Sequence, residues 1–467
     1  MNILTGSDVW WLFPLVSFLI VITALPVNDS NVSAALAVDN SNVSIDETKN
    51  LPESMVCAGY DKTKRVITIA CDSTLSELHR TIADVKILKK ESTDGIWFLN
   101  SSLVVSKGAT LTINPNDAKW LKINSEGRSF GVRLWANESQ EHLNERIPYF
   151  IQVLGAINLN GVKITSWDPL TNNYASQNPD GTIPRPFIYI QEAADPSLIT
   201  NSEIAYLGYK SPRKQGLNFY GGDNSTLNNN EIHNLFFGFF SAAVGNITLE
   251  NNHVYANTKY GLDPHTGTHH MLIKNNRVHD NGHIGIICSL DCSNIIIEGN
   301  TVFNNTNAGI MVSKNVQDSV VTNNTIYDEN TGVSVSESSS DKVHHNSISH
   351  SKNGIQVKLK SSDNQIHDNS ISNSERCGIE VTNSSSNNRI TSNSVLNSST
   401  YGVCLSDGPS ENTFTNNTIS AASGIAVYAN NLNPFKNVFK YNDLLDVLRN
   451  PVKLTNSTLT FINNTIK

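Results

Sequence analysis

Ile297-Glu298-Gly299-Asn300-Thr301-Val302-Phe303-Asn304-Asn305-Thr306-Asn307-Ala308-Gly309-Ile310 spans the two markers of a pattern that runs through most of the chain. Glycine recurs at 216, 238, 261, 285, 309, 332, 354, 378, 402 and 424, at intervals of 22 to 24 residues. A second marker, asparagine, keeps the same step at 230, 252, 276, 300, 324, 346, 369, 393 and 417. An apolar residue follows every marker glycine, from Leu217 to Ile425, and Ile or Val stands two places after every marker asparagine. Repetition at this period is the mark of a solenoid, whose units bury their apolar faces only by stacking.

Each period holds three short apolar segments separated by turns rich in Asn, Gly and Ser, so each coil should contain three short strands. Coils stacked at about 4.8 Å give an all-β, right-handed parallel β-helix with a continuous apolar interior. The marker asparagines are expected to form a ladder of stacked amides. A leucine-rich repeat has a similar period, but its fixed leucines and helix-length segment are absent.

Working outward, the chain divides into four regions. Residues 1–27 carry the apolar run Val9–Val27, which is either a cleaved signal peptide or an N-terminal anchor. Residues 28–55 are polar, with glycosylation sequons at Asn28, Asn31 and Asn42, and suggest a flexible tether. Residues 56–120 are expected to form an N-terminal cap and the first coils. There Asp72 or Ser73 would cap a short helix whose Leu75, Leu78, Ile82 and Val85 share one face. Residues 121–467 form the β-helix that carries the groove. Secretion, or display at the cell surface through the anchor, follows from this arrangement.

Charged residues make up 16% of the 467-residue chain and the net charge is −8. No basic stripe is present to neutralise phosphates, which argues against a nucleic-acid partner. Six cysteines include two near pairs, Cys57/Cys71 and Cys288/Cys292, both candidates for local disulfides or buried thiols.

Strand parity maps the outer surface: after each glycine, positions one and three face inward and positions two and four face out. Most coils carry bland outward pairs, such as Met311/Ser313 and Ser334/Ser336. The coil at Gly261 carries Asp263 and His265, with Pro264 between them. An aspartate beside an outward histidine can orient the imidazole and raise its basicity. Parity places Tyr260 inward, so it reaches the same face only if the chain turns at Gly261. His269, His270, His279 and His283 lie nearby, but their spacing follows no metal-ligand pattern.

Tyr260-Gly261-Leu262-Asp263-Pro264-His265 resembles the DPH signature of alginate (mannuronan) C5-epimerases, a family of right-handed β-helix enzymes. Thr165-Ser166-Trp167-Asp168, Tyr206-Leu207-Gly208-Tyr209, Gly238-Phe239-Phe240-Ser241 and Gly285-Ile286-Ile287-Cys288-Ser289 are similar to blocks of its periplasmic type. They occur in matching order, and the resemblance extends over roughly residues 95 to 430. It implies that His265 and Tyr260 are the catalytic acid/base pair, with Asp263 holding His265. Where the periplasmic type has a carboxylate-neutralising arginine this chain has Leu290, and Lys314, at the equivalent place one coil on, becomes the implied neutraliser. Thr266 stands where the family has an acidic residue. Asn304 and Asn305 match an asparagine pair of the family, and Lys210, Arg213 and His270 are further candidate contacts to substrate. The implied partner is an acidic polysaccharide acted on by a monomer. No cofactor is expected; Ca2+ is the one ion left open, although the calcium-binding repeats of secreted epimerases are absent. A lyase on the same polymer and a non-catalytic glycan-binding surface protein are the alternative readings.

Overall fold

A computed structural model describes residues 57–131, 144–432, 436–445 and 451–467. The apolar run and the tether lie outside them. Among the described residues three long sheets of sixteen, fourteen and sixteen strands run the length of the molecule. Leu272–Lys274, Arg277–His279 and Ile284–Ser289 form one coil, and Ile296–Glu298 begins the next, paired in parallel with Leu272–Lys274. This is the expected β-helix with three strands per coil. One apolar core fills its interior from Ala58 to Leu444.

The asparagine ladder is present. Each marker amide donates from Nδ2 to Oδ1 of the next, for example Asn276 to Asn300 at 3.0 Å and Asn300 to Asn324 at 3.0 Å. The ladder continues past the counted markers to Asn442 and Asn464. Shared amide bonds pair the polar atoms at this turn, which would be costly to bury unpaired. A second ladder, Asn257–Asn281–Asn305, ends on Glu329.

The N-terminal end differs from expectation in its cap. Helix Leu75–Ile82 starts at Thr74, not at Asp72 or Ser73, in a capping box with Glu77. Leu75 and Leu78 are buried, but the chain leaves the helix at Ala83 in the left-handed region, so Val85 is exposed.

Strict alternation fails at the marker glycines, and this decides what the groove contains. Tyr260 pairs with Ile284 and Leu262 with Ile286, while Gly261 drops out of the register. A Cβ on Gly261 would lie 2.7 Å from Cγ1 of the core residue Val278 and 2.5 Å from the carbonyl oxygen of Gly285. Glycine and the residue after it therefore both face the interior. The residue before the glycine is turned outward, correcting the inward placement that parity alone assigns to Tyr260.

Cys57 and Cys71 form a disulfide, as do Cys377 and Cys404 on successive coils. Cys288 and Cys292 are instead free and buried in the core, with Cys292 donating to the Ser289 carbonyl.

Candidate active site

Strand Tyr260–His265 lies in a sixteen-stranded sheet between Phe237–Ala242 and Ile284–Ser289. Outside the core, its outer face carries two apolar clusters. Phe236, Phe237, Phe240 and Ala242 form one, Ile284, Ile287, Ala308 and Met311 the other, and Tyr260 packs against both. Phe237 lies 4.8 Å from the Tyr260 ring, and Phe240 lies 5.4 Å from the His265 ring. At about 3.3 Å per residue, the Cα atoms of Tyr260 and His265 stand about 16 Å apart along the strand. That leaves room for a sugar ring between the two side chains. Asp263, in register with Phe240, lies between them.

Asp263 is 1% exposed, not solvated as parity suggests. Among the described residues neither of its carboxylate oxygens has a hydrogen-bond partner. Burial, reinforced by Cys292, drives its pKa well above the carboxylate range, and nearby Lys259 only partly opposes this. Burial therefore favours the protonated form of Asp263, and no hydrogen bond joins it to His265.

The imidazole instead has Nδ1 2.6 Å from Oγ1 of Thr266. Burial, with Lys314 adding to it, lowers the His265 pKa to about 4. Burial, with Asp263 adding to it, raises the Tyr260 pKa. Near neutral pH the site thus holds an uncharged imidazole, which accepts a proton, and an intact phenol, which donates one.

Lys314 is exposed just beyond the strand two coils along, with its charge felt at His265. Lys259, which the sequence reading missed, has its ammonium 4.9 Å from the Tyr260 ring centroid. Burial lowers its pKa, opposed by Asp263 and assisted by the charge of Lys210. Position minus two from a marker glycine carries no repeat signal, and only the outward turn at the glycine brings Lys259 to this face.

The remaining expected contacts divide. Arg213 lies over the Tyr220 ring at 4.9 Å and binds Glu192 at 2.7 Å, on the outer face beside Phe240. Asn305 is a correction: it is 3% exposed and its amide is committed to the ladder with Asn281 and Glu329. Asn304 is exposed and donates to Asp280. His270 is exposed at the turn into the next sheet, against His269. The matched blocks upstream act as scaffold: buried Arg185 donates to the carbonyls of Leu207, Gly208 and Asn234, and Ser166 to that of Tyr206. A surface cavity of about 850 Å³ lies against these blocks, lined by Tyr174, Gln177, Arg185 and Tyr206. Its wall includes Thr258, beside Lys259, but none of Tyr260, Asp263 and His265.

The sequence matches the family described as right handed beta helix region over residues 155–317 and 287–419. Those segments span more than half of the chain, which belongs to the right-handed β-helix family. Among solved structures, it is similar to the crystal structure of the periplasmic alginate epimerase AlgG. Sequence identity is 19% and the TM-score 0.59, over 86% of this chain and 85% of that one. A point mutant of AlgG gives 17% identity and a TM-score of 0.62, with coverage of 86% and 85%. The Azotobacter vinelandii mannuronan C-5 epimerase AlgE6 A-module is 16% identical with a TM-score of 0.45, over 80% and 89% of the two chains. No curated protein matches the sequence. The likeness to the two AlgG structures, with the family match, establishes the fold.

Proposed function

We propose that the chain is a carbohydrate-active enzyme that epimerises uronate residues of an acidic polysaccharide at C5. One arrangement carries the reading: His265 and Tyr260 stand at the two ends of one strand's outer face, where burial lowers the pKa of the imidazole and raises that of the phenol, with buried Asp263 between them. The likeness to solved alginate epimerases and the DPH signature support it.

Epimerisation removes the hydrogen alpha to a carboxylate and returns one from the opposite face of the ring. His265 takes the C5 proton as base, and the electron pair moves into the carboxylate, leaving two negative charges on it. Such an intermediate needs charge stabilisation in place beforehand. Asp263, buried and without a partner, donates a hydrogen bond to that carboxylate once substrate displaces the side chains that cover it, while Lys314 and Lys259 supply positive charge from the two ends. Tyr260 then protonates C5 from the other side. His265 releases its proton to solvent and Tyr260 regains one, so the enzyme is reset.

The test is NMR of polymannuronate and other polyuronates incubated in D2O with wild type and His265→Ala. Deuterium at C5 without chain cleavage, abolished by His265→Ala, is the expected result. Ultraviolet absorbance from an unsaturated uronate would mean a lyase instead. Binding without exchange, unchanged in His265→Ala, would mean a glycan-binding protein.

A further inference from the structure

Four and five coils beyond His265, two successive coils place four ligand-type side chains at one turn. Lys342–His344 and Gln365–His367 are successive strands of the fourteen-stranded sheet, and His344 stands opposite His367. The next residue of each, His345 and Asp368, takes the left-handed turn position that Asn251, Asn275 and Asn323 hold in other coils. Register alone therefore stacks His344-His345 on His367-Asp368 at about the 4.8 Å strand spacing.

The side chains converge. The His344 and His367 rings stack with centroids 4.8 Å apart, and His344 Nδ1 lies 2.8 Å from His345 Nδ1. His367 Nδ1 lies 2.7 Å from Oδ2 of Asp368. Ligand atoms of His345, His367 and Asp368 all lie within 4.8 Å of one another. The side chains of His367 and Asp368 are 29% and 45% exposed, so small rotations bring these atoms to coordination distance without disturbing the core.

We propose that His345, His367 and Asp368 form a binding site for a divalent transition-metal ion of the zinc type, with His344 beside it, linking two coils. Two imidazole nitrogens and one carboxylate oxygen suit Zn2+ and its neighbours. Calcium and magnesium require oxygen-rich shells that this turn does not offer. The other cluster of this kind among the described residues, Glu203, Glu231 and His233, already has Lys163 bound to Glu203 at 2.7 Å. An ammonium there takes the place of a cation. The proposal is independent of the epimerase reading.

Calorimetric titration of the tag-free full chain with ZnCl2 tests it, alongside CaCl2 and the absorption spectrum of a Co2+ complex. One saturable Zn2+ site, a Co2+ ligand-field band and no comparable Ca2+ uptake are expected. His367→Ala and His345→Ala should each weaken Zn2+ binding by roughly tenfold or more, the least that losing even an outer partner of a metal costs. His269→Ala should leave binding unchanged. No saturable Zn2+ binding, or binding undiminished in the His345→Ala/His367→Ala double variant with an unaltered circular dichroism spectrum, would overturn the proposal.

Discussion

Nδ1 of His265 lies 2.6 Å from Oγ1 of Thr266, and no hydrogen bond ties the imidazole to Asp263. A hydroxyl at this nitrogen can fix the tautomer, but it cannot stabilise the imidazolium as a carboxylate would. Burial, with the charge of Lys314 adding to it, lowers the His265 pKa to about 4, and Thr266 does not oppose this. Thr266→Asp would put a charge at Nδ1, and the His265 pKa should rise by about one to three units. NMR titration of the ring checks this, and any acid limb of the exchange reaction should move upward with it. Thr266→Val should produce no such rise.

Asp263 is expected to tolerate loss of its ionisable group better than loss of its shape. A protonated carboxyl and an amide are close in size, and both donate a hydrogen bond. Asp263→Asn should therefore retain far more C5 exchange than Asp263→Ala, which opens a hole beneath the substrate. Deuterium incorporation rates for the two variants decide the point. An inactive, well-folded Asp263→Asn would show that charge, not hydrogen bonding, is required.

Gly261→Ala should lower stability by about 1–3 kcal/mol through overpacking against the Gly285 carbonyl and Val278. Relief of that clash would push the strand outward and displace Tyr260, so exchange should fall more steeply than stability. Urea unfolding beside an activity assay measures both quantities.

Glu329 ends the Asn257–Asn281–Asn305 ladder, where burial lifts its pKa from the ordinary carboxylate value of 4.5 to about 8. The folded state thus holds a proton that the unfolded chain releases. Between about pH 4.5 and 8 stability should fall as pH rises, by up to roughly 5 kcal/mol for this one group. Glu329→Gln keeps the amide ladder and removes the titration. Thermal melts between pH 5 and 9 should therefore show a flatter pH dependence for the variant.

Much of the architecture could be read along the chain, because a solenoid is a local code. Each coil meets only its neighbours, so glycine and asparagine at steps of 22 to 24 residues translate directly into stacked strands and an amide ladder. The same periodicity singled out Asp263 and His265 as departures from the bland outward pairs. Periodicity carried no information on the bulge at Gly261, which turns Tyr260 and Lys259 outward because core packing against Val278 leaves no room for alternation. Nor did it show that Asp263 is sealed from water, which depends on aromatic and apolar side chains from adjacent coils. Asn305 looked like a sugar contact in one dimension and became a ladder rung in three, since a buried amide must satisfy its own hydrogen bonds first. Residue types and spacing thus named the coils and the chemistry on offer, while side-chain burial between coils assigned the protons.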